Sequence, residues 1–99
     1  MSVQIDIESL VSTYVVNMSK THAFDVRIDR QTIWGNPNHI GPDMPREEAI
    51  RAYRDHLKLN PYLIRKARQE LAGKVLGCWC KPAPCHGDIL AYVANGGEP

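Results

Sequence analysis

Cys78, Cys80, Cys85 and His86 fall within one run, Gly77-Cys78-Trp79-Cys80-Lys81-Pro82-Ala83-Pro84-Cys85-His86-Gly87-Asp88, and the chain has no other cysteine. Sulfur gathered in this way serves one of three ends: it holds a metal, acts as a nucleophile, or packs as an inert apolar group. Three cysteines and a histidine are the ligand count of a Cys3His zinc site, whose sulfurs, bonded at about 2.3 Å, lie within roughly 4 Å of each other. A zinc held by fewer of these residues keeps a position open for water or substrate. Without metal, the same run offers a thiolate at Cys85, with His86 beside it and Asp88 in the same helical turn. Sequence alone leaves these readings side by side.

The flanking residues say how such a site is positioned. Lys74 to Gly77 is short and largely apolar, whereas the larger apolar residues of Gly87 to Ala94 recur at helical spacing, which predicts strand, tight loop, helix. On an extended segment Cys78 and Cys80 share a face and Trp79 points away from them. Pro82 and Pro84 stiffen the return. Cys85 and His86 then stand at a helix N-terminus, where exposed N–H groups and the positive end of the dipole favour a thiolate. Adjacent Cys85 and His86 diverge by about 100° on a regular helix, which strains their use as two ligands of one ion.

A second set of chemistry-bearing residues lies in the stretch Arg30 to Asp43, where Gly35, Pro37, Gly41 and Pro42 exclude regular structure. Long irregular loops in small domains tend to carry function. Trp34, Asn36, Asn38 and His39 bring an aromatic plane, two amides and an imidazole together, a set able to stack on and hydrogen-bond a flat heteroaromatic ligand. The competing reading has Trp34 filling the core and Gly35-Asn36-Pro37 forming a turn. His22 and His39, taken singly, read as ordinary surface histidines.

The two runs together resemble the signature of an uncharacterised family of phages and bacteria catalogued as domain of unknown function 4326. The resemblance rests on Gly77-Cys78-Trp79-Cys80-Lys81-Pro82, on Pro84-Cys85-His86-Gly87-Asp88, and on an upstream strand end with Ile28 and Arg30 followed by Trp34-Gly35-Asn36-Pro37. It extends from about Tyr14 to Gly96. This chain departs from it at Ile28-Asp29-Arg30-Gln31, where an Ile-Gly-Arg-Pro-like run is expected. The resemblance implies a phage-encoded protein acting in the host cytoplasm. With the site chemistry, it frames one hypothesis: an enzyme for a nucleotide-like or nucleobase-like small molecule. Arg30, Trp34 and Asn36 would bind the substrate, Cys85 or a metal-bound water would attack, and His86 or Asp88 would move the proton. A second hypothesis is a binding module for a host protein or nucleic acid, stapled by zinc on Cys78, Cys80, Cys85 and His86 or free of metal.

Composition bounds both. With 43% hydrophobic and 23% charged residues and a formal net charge of +1, the chain reads as one ordinary globular domain over residues 1–99, with no demand for a polyanionic partner. No apolar run approaches the roughly 20 residues of a membrane span, and an odd cysteine count favours a reducing cytoplasm. Asp6 to Val11 is equally defensible as a short helix or an extended arm. Thr13 to Met18 reads as a central strand and Phe24 to Ile28, alternating apolar and charged, as an edge strand. Pro45 opens a helix with Ala49, Ile50, Tyr53 and Leu57 inward. Asn60-Pro61 opens another with Leu63, Ile64, Ala67 and Leu71 inward, closed by Gly73. Seven cations of this helical hairpin (Arg46, Arg51, Arg54, Lys58, Arg65, Lys66, Arg68) are diluted by Glu47, Glu48, Asp55 and Glu70, which weakens a nucleic-acid reading. The order strand, strand, helix, helix, strand, helix predicts a small α/β sandwich with a roughly three-stranded mixed sheet and three main helices, its last strand parallel to an earlier one and its ligand site at the carboxyl ends of the strands.

Overall fold

A computed structural model describes residues 12–99; the open question of Asp6 to Val11 lies outside them. Three strands, β1 (Tyr14–Asn17), β2 (Val26–Arg27) and β3 (Val75–Cys78), and three helices, α1 (Arg46–Leu59), α2 (Pro61–Glu70) and α3 (His86–Ala94), follow one another in the order β1-β2-α1-α2-β3-α3. The sheet order is β1-β3-β2 and both pairings are parallel. The sheet is therefore parallel throughout rather than mixed, and β3, not β1, is its central strand. The cause is visible in the residues: Leu76, Gly77 and Cys78 are all withdrawn from water, the run of a strand covered on both faces, whereas Tyr14 on β1 is exposed.

The two faces of β3 are covered differently. Leu76 and Cys78 pack into the main core with Ile28, Tyr53, Leu57, Leu90 and Val93. Gly77 points the other way, and a side chain there would meet Met18 and Phe24 at 2.8 and 2.9 Å. Those residues belong to the connection from β1 back to the start of β2, which crosses this face without a helix. A glycine at the centre of the sheet is what lets the chain cross so closely.

The helices form where the apolar spacing predicts. Ala49, Tyr53 and Leu57 bury one stripe of α1, and Leu63 and Ala67 bury that of α2. Pro45 stands one position earlier than expected, at the N-cap of α1 rather than its first helical residue. Asn60 joins the two helices. Its backbone N–H closes α1 on the Leu57 carbonyl and its side-chain amide donates to the His56 carbonyl at 2.8 Å, so it ends one helix as it begins the next. Gly73, at φ 75°, turns the chain out of the hairpin toward β3, a conformation glycine adopts freely.

Thr13, just before β1, ties the far end of the molecule. Its hydroxyl donates to the Leu71 carbonyl at 2.8 Å and accepts from the Gly73 N–H at 2.8 Å, while its backbone N–H donates to the Asn95 side-chain oxygen at 2.9 Å. The residue is 4% exposed. Thr13→Val keeps shape and β-propensity but strands both buried groups, so it should destabilise the fold by about 1–3 kcal/mol. Thermal unfolding followed by circular dichroism should show the midpoint falling by several degrees with the far-ultraviolet spectrum unchanged.

Candidate functional site

The site is built where β2 and β3 end. β3 stops at Cys78, and α3 starts at His86 with Cys85 as its extended N-cap. The Cys85 backbone N–H donates to the Asp88 carboxylate at 3.0 Å, and the Asp88 N–H turns back to the Cys85 sulfur. This is a capping box with sulfur in the usual place of a hydroxyl. The second Asp88 oxygen takes the Lys81 ammonium. Burial works to lower the Lys81 pKa, but its bond to Asp88 and the surrounding negative charge win and raise it.

His86 is engaged as well. Its Nε2–H donates to the Ile28 carbonyl at 2.7 Å, and its ring meets Tyr53 edge-on at 4.9 Å. A carbonyl oxygen only accepts, so the neutral tautomer carries its proton on Nε2 and Nδ1 keeps a lone pair. Burial pulls the imidazole pKa down and opposes its charging. His86 and Asp88, both expected as proton carriers, thus hold the loop and helix in place.

The sulfurs of Cys78 and Cys85 stand 3.4 Å apart and almost wholly out of water. Hydrogen bonding from the Cys85 thiol, helped by the Cys80 and Lys81 backbone N–H groups and the Lys81 charge, draws Cys78 down to about 6 against the opposing effect of burial. Holding that proton pushes Cys85 up, as do burial and the negative charges of Cys78 and Asp88. These neighbours favour negative charge on Cys78 over Cys85, the sulfur on which the sequence argument considered it. The helix N-terminus does favour charge on Cys85, but the Asp88 carboxylate sits in the same turn and cancels that advantage.

Cys78, Cys80, Cys85 and His86, the four residues with zinc-ligand chemistry, line one cavity. Among the described residues no group of three or more His, Cys, Asp or Glu side chains is placed to hold a metal ion. His86 keeps Nδ1 free while Nε2 is held by Ile28, and Cys80 approaches Cys78 through its backbone N–H, at 3.4 Å from the sulfur.

A cavity of about 350 Å³ opens beside the thiol pair. Its lining joins Cys78 to Cys80, Cys85 and His86 of the sulfur run with Asp29 to Gln31, Asn36 and Asn38 of the upstream loop and with Ala49 and Ile50 of α1. The two sequence runs do meet at the carboxyl ends of the parallel strands, where open α/β sheets collect ligands. Asn17, at the end of β1, supports the sulfur loop by donating to the Lys81 carbonyl at 2.6 Å.

The indole facing this cavity is Trp79. Trp34, expected to supply the stacking plane, is 5% exposed within the core, its carbonyl accepting the Tyr53 hydroxyl at 2.8 Å. Trp79 is 54% exposed, and its Nε1–H donates to Asp29 at 3.1 Å. Strand alternation turned Trp79 away from the sulfurs on paper. The ladder ends at Cys78, however, so alternation no longer governs the residues after it. Asp29 in turn is gripped by Arg27 at 2.6 Å, and that bond, with the Trp79 indole and the Gln31 N–H, outweighs burial and holds its carboxyl below the usual range. This buried acid was missed as a site residue. Its one signal was the charged residue at the point where the sequence departs from the expected glycine.

Gly35 explains the Trp-Gly-Asn-Pro turn. A Cβ there would stand 2.6 Å from the Arg30 Cα and 2.8 Å from the Asp29 carbonyl oxygen, both backbone atoms that cannot step aside. Asn36 follows in the lining of the cavity, where its amide donates to the Ala49 carbonyl at 2.9 Å and its oxygen accepts from the Asn38 N–H at 2.9 Å.

Residues 13–96 match the family described as Domain of unknown function (DUF4326). The chain belongs to that family. An uncharacterised 12.4 kDa protein from the nrdA–td intergenic region of Enterobacteria phage T4 is 46% identical over 85 residues, covering 82% of this chain and 76% of the relative. No solved structure gives a significant match. No helix among the described residues is long and apolar enough to cross a membrane. Both runs that carried the resemblance lie inside the matched range.

Two outcomes test the site. Alkylation of Cys78 by a small iodoacetamide, followed by peptide mass spectrometry across pH, should reach half its limiting rate near about 6 and shift upward toward an ordinary thiol in Cys85→Ala. Mild oxidation should join Cys78 to Cys85, since sulfurs already in contact need only close to about 2.05 Å, and should leave Cys80 as the remaining free thiol. Separately, Gly35→Ala should cost about 1–3 kcal/mol in denaturant unfolding through overpacking against backbone.

Proposed function

We propose that this protein binds a flat, nucleobase-like or nucleotide-like small molecule in the cavity at the carboxyl ends of its strands, with the Cys78 thiolate as the nucleophile that acts on it. The observation that carries the reading is the composition of that cavity: a half-exposed indole, three side-chain amides, an arginine with no carboxylate partner among the described residues and two sulfurs in contact share one hollow. Its volume is at the lower end of the range for small-ligand pockets. An aromatic plane with amides around it suits a ring that carries both donors and acceptors, and Arg30 suits an anionic substituent.

In this reading the Cys78 sulfur adds to an electron-poor carbon of the bound ring, and the proton on Cys85 is at hand for the charge that develops there. Neither His86 nor Asp88 is asked to move a proton, since each is committed to holding the loop. That commitment also favours a second reading, a ligand-binding module in which the sulfurs only shape the wall. Of the seven cations on the helical hairpin, Lys66 pairs with Glu70 and Arg68 with Glu98, and Glu47, Glu48 and Asp55 dilute the others, which weakens a nucleic-acid reading of that face.

A screen of nucleobases and nucleosides by tryptophan fluorescence and calorimetry tests both. Binding should weaken about tenfold in Trp79→Ala, the usual worth of one stacked base. Cys78→Ser should retain binding and lose any covalent adduct seen by intact mass. Binding indifferent to Trp79 would sink the reading; binding without an adduct would favour the module.

A further inference from the structure

A second, shallower cavity of about 280 Å³ adjoins the first, and Arg30 and Asn36 line both. Its chemistry is one-sided. Arg30, His39 and His56 are the residues there able to carry positive charge, and among the described residues no carboxylate lines it. Arg30 is exposed and has no carboxylate partner among the described residues. Asn36 contributes wall rather than a competing acceptor, because its oxygen already takes the Asn38 backbone and side-chain N–H groups.

His56 is oriented to donate. The Asn60 amide nitrogen lies 3.4 Å from His56 Nδ1 while donating to the His56 carbonyl at 2.8 Å. An amide NH₂ can only donate to that ring nitrogen, so the imidazole keeps its proton on Nε2. The cavity thus presents a guanidinium and an imidazole N–H, with a second imidazole from His39, and the close packing of Gly35 on the Arg30 backbone holds the loop that separates it from the indole. Tetrahedral oxyanions are recognised by this kind of donor cluster.

We propose that this cavity is a phosphate subsite, so that the ligand is a nucleoside monophosphate with its base on the Trp79 side of Arg30 and its phosphate against Arg30, His39 and His56. The proposal rests on the nucleobase reading of the first cavity and adds the anionic group that completes the ligand. Arg30 is the bridge, since it reaches both hollows.

Isothermal titration of the intact protein with nucleosides, their 5′-monophosphates and inorganic phosphate, at one fixed low salt concentration, separates the outcomes. A monophosphate should bind at least about tenfold tighter than its nucleoside. In a His39→Gln/His56→Gln double variant that advantage should shrink while nucleoside affinity stays the same, and Arg30→Gln should lower monophosphate affinity further. Circular dichroism checks that each variant is folded. Nucleosides that bind as tightly as monophosphates overturn the subsite and leave the nucleobase reading standing. Inorganic phosphate that binds as tightly as the monophosphates overturns the shared ligand. No binding by any probe overturns both readings.

Discussion

The meeting of the β2 end with the β3–α3 loop holds the site together. Ile28 is where the two join: its backbone N–H extends the sheet ladder by donating to the Gly77 carbonyl at 3.0 Å, its carbonyl accepts from His86, and its side chain is fully buried. One residue later the Asp29 carboxylate accepts the Trp79 indole N–H. Two segments about fifty residues apart in sequence are thus joined by backbone and side-chain bonds in a water-poor setting, where a lost partner costs more than it would at the surface.

That junction accounts for the division of labour among the polar residues. A histidine and an aspartate beside a cysteine look like a catalytic set, yet here they are spent on architecture: His86 locks the helix start to β2, and Asp88 caps its own helix and pairs with Lys81. That leaves the two sulfurs in contact with each other, so that one proton is shared between two thiols. Capping and thiolate stabilisation pull in opposite directions at Cys85, because the acid that completes the capping box also repels a charge on the sulfur. The charge settles on Cys78, which gains backbone donors without a carboxylate neighbour of its own.

The loop from Arg30 to Asp43 is irregular but not loosely attached. Trp34 anchors it in the core, Gly35 allows it to lie on the Arg30 backbone, and Asn36 ties it to α1. These three attachments fix the loop at its core, backbone and helix contacts, so that Arg30 and the amides are held at the sheet end.

Much of this was legible in the order of residues. The helices follow from apolar spacing and from Pro45, Asn60 and Gly73 as boundaries; the parallel arrival of β3 follows from a crossover through two helices; Cys85 at a helix start follows from the apolar residues after it. These are local facts, set by periodicity and backbone sterics. Which strand is central, which tryptophan meets the cavity and which sulfur carries the charge were decided only by tertiary packing. Each depends on a partner distant in sequence: Met18 and Phe24 over Gly77, Tyr53 on the Trp34 carbonyl, Asp29 on Trp79, and Cys78 against Cys85. Burial and pairwise electrostatics are properties of neighbours in space, and a sequence read one residue after another lists neighbours only along the chain.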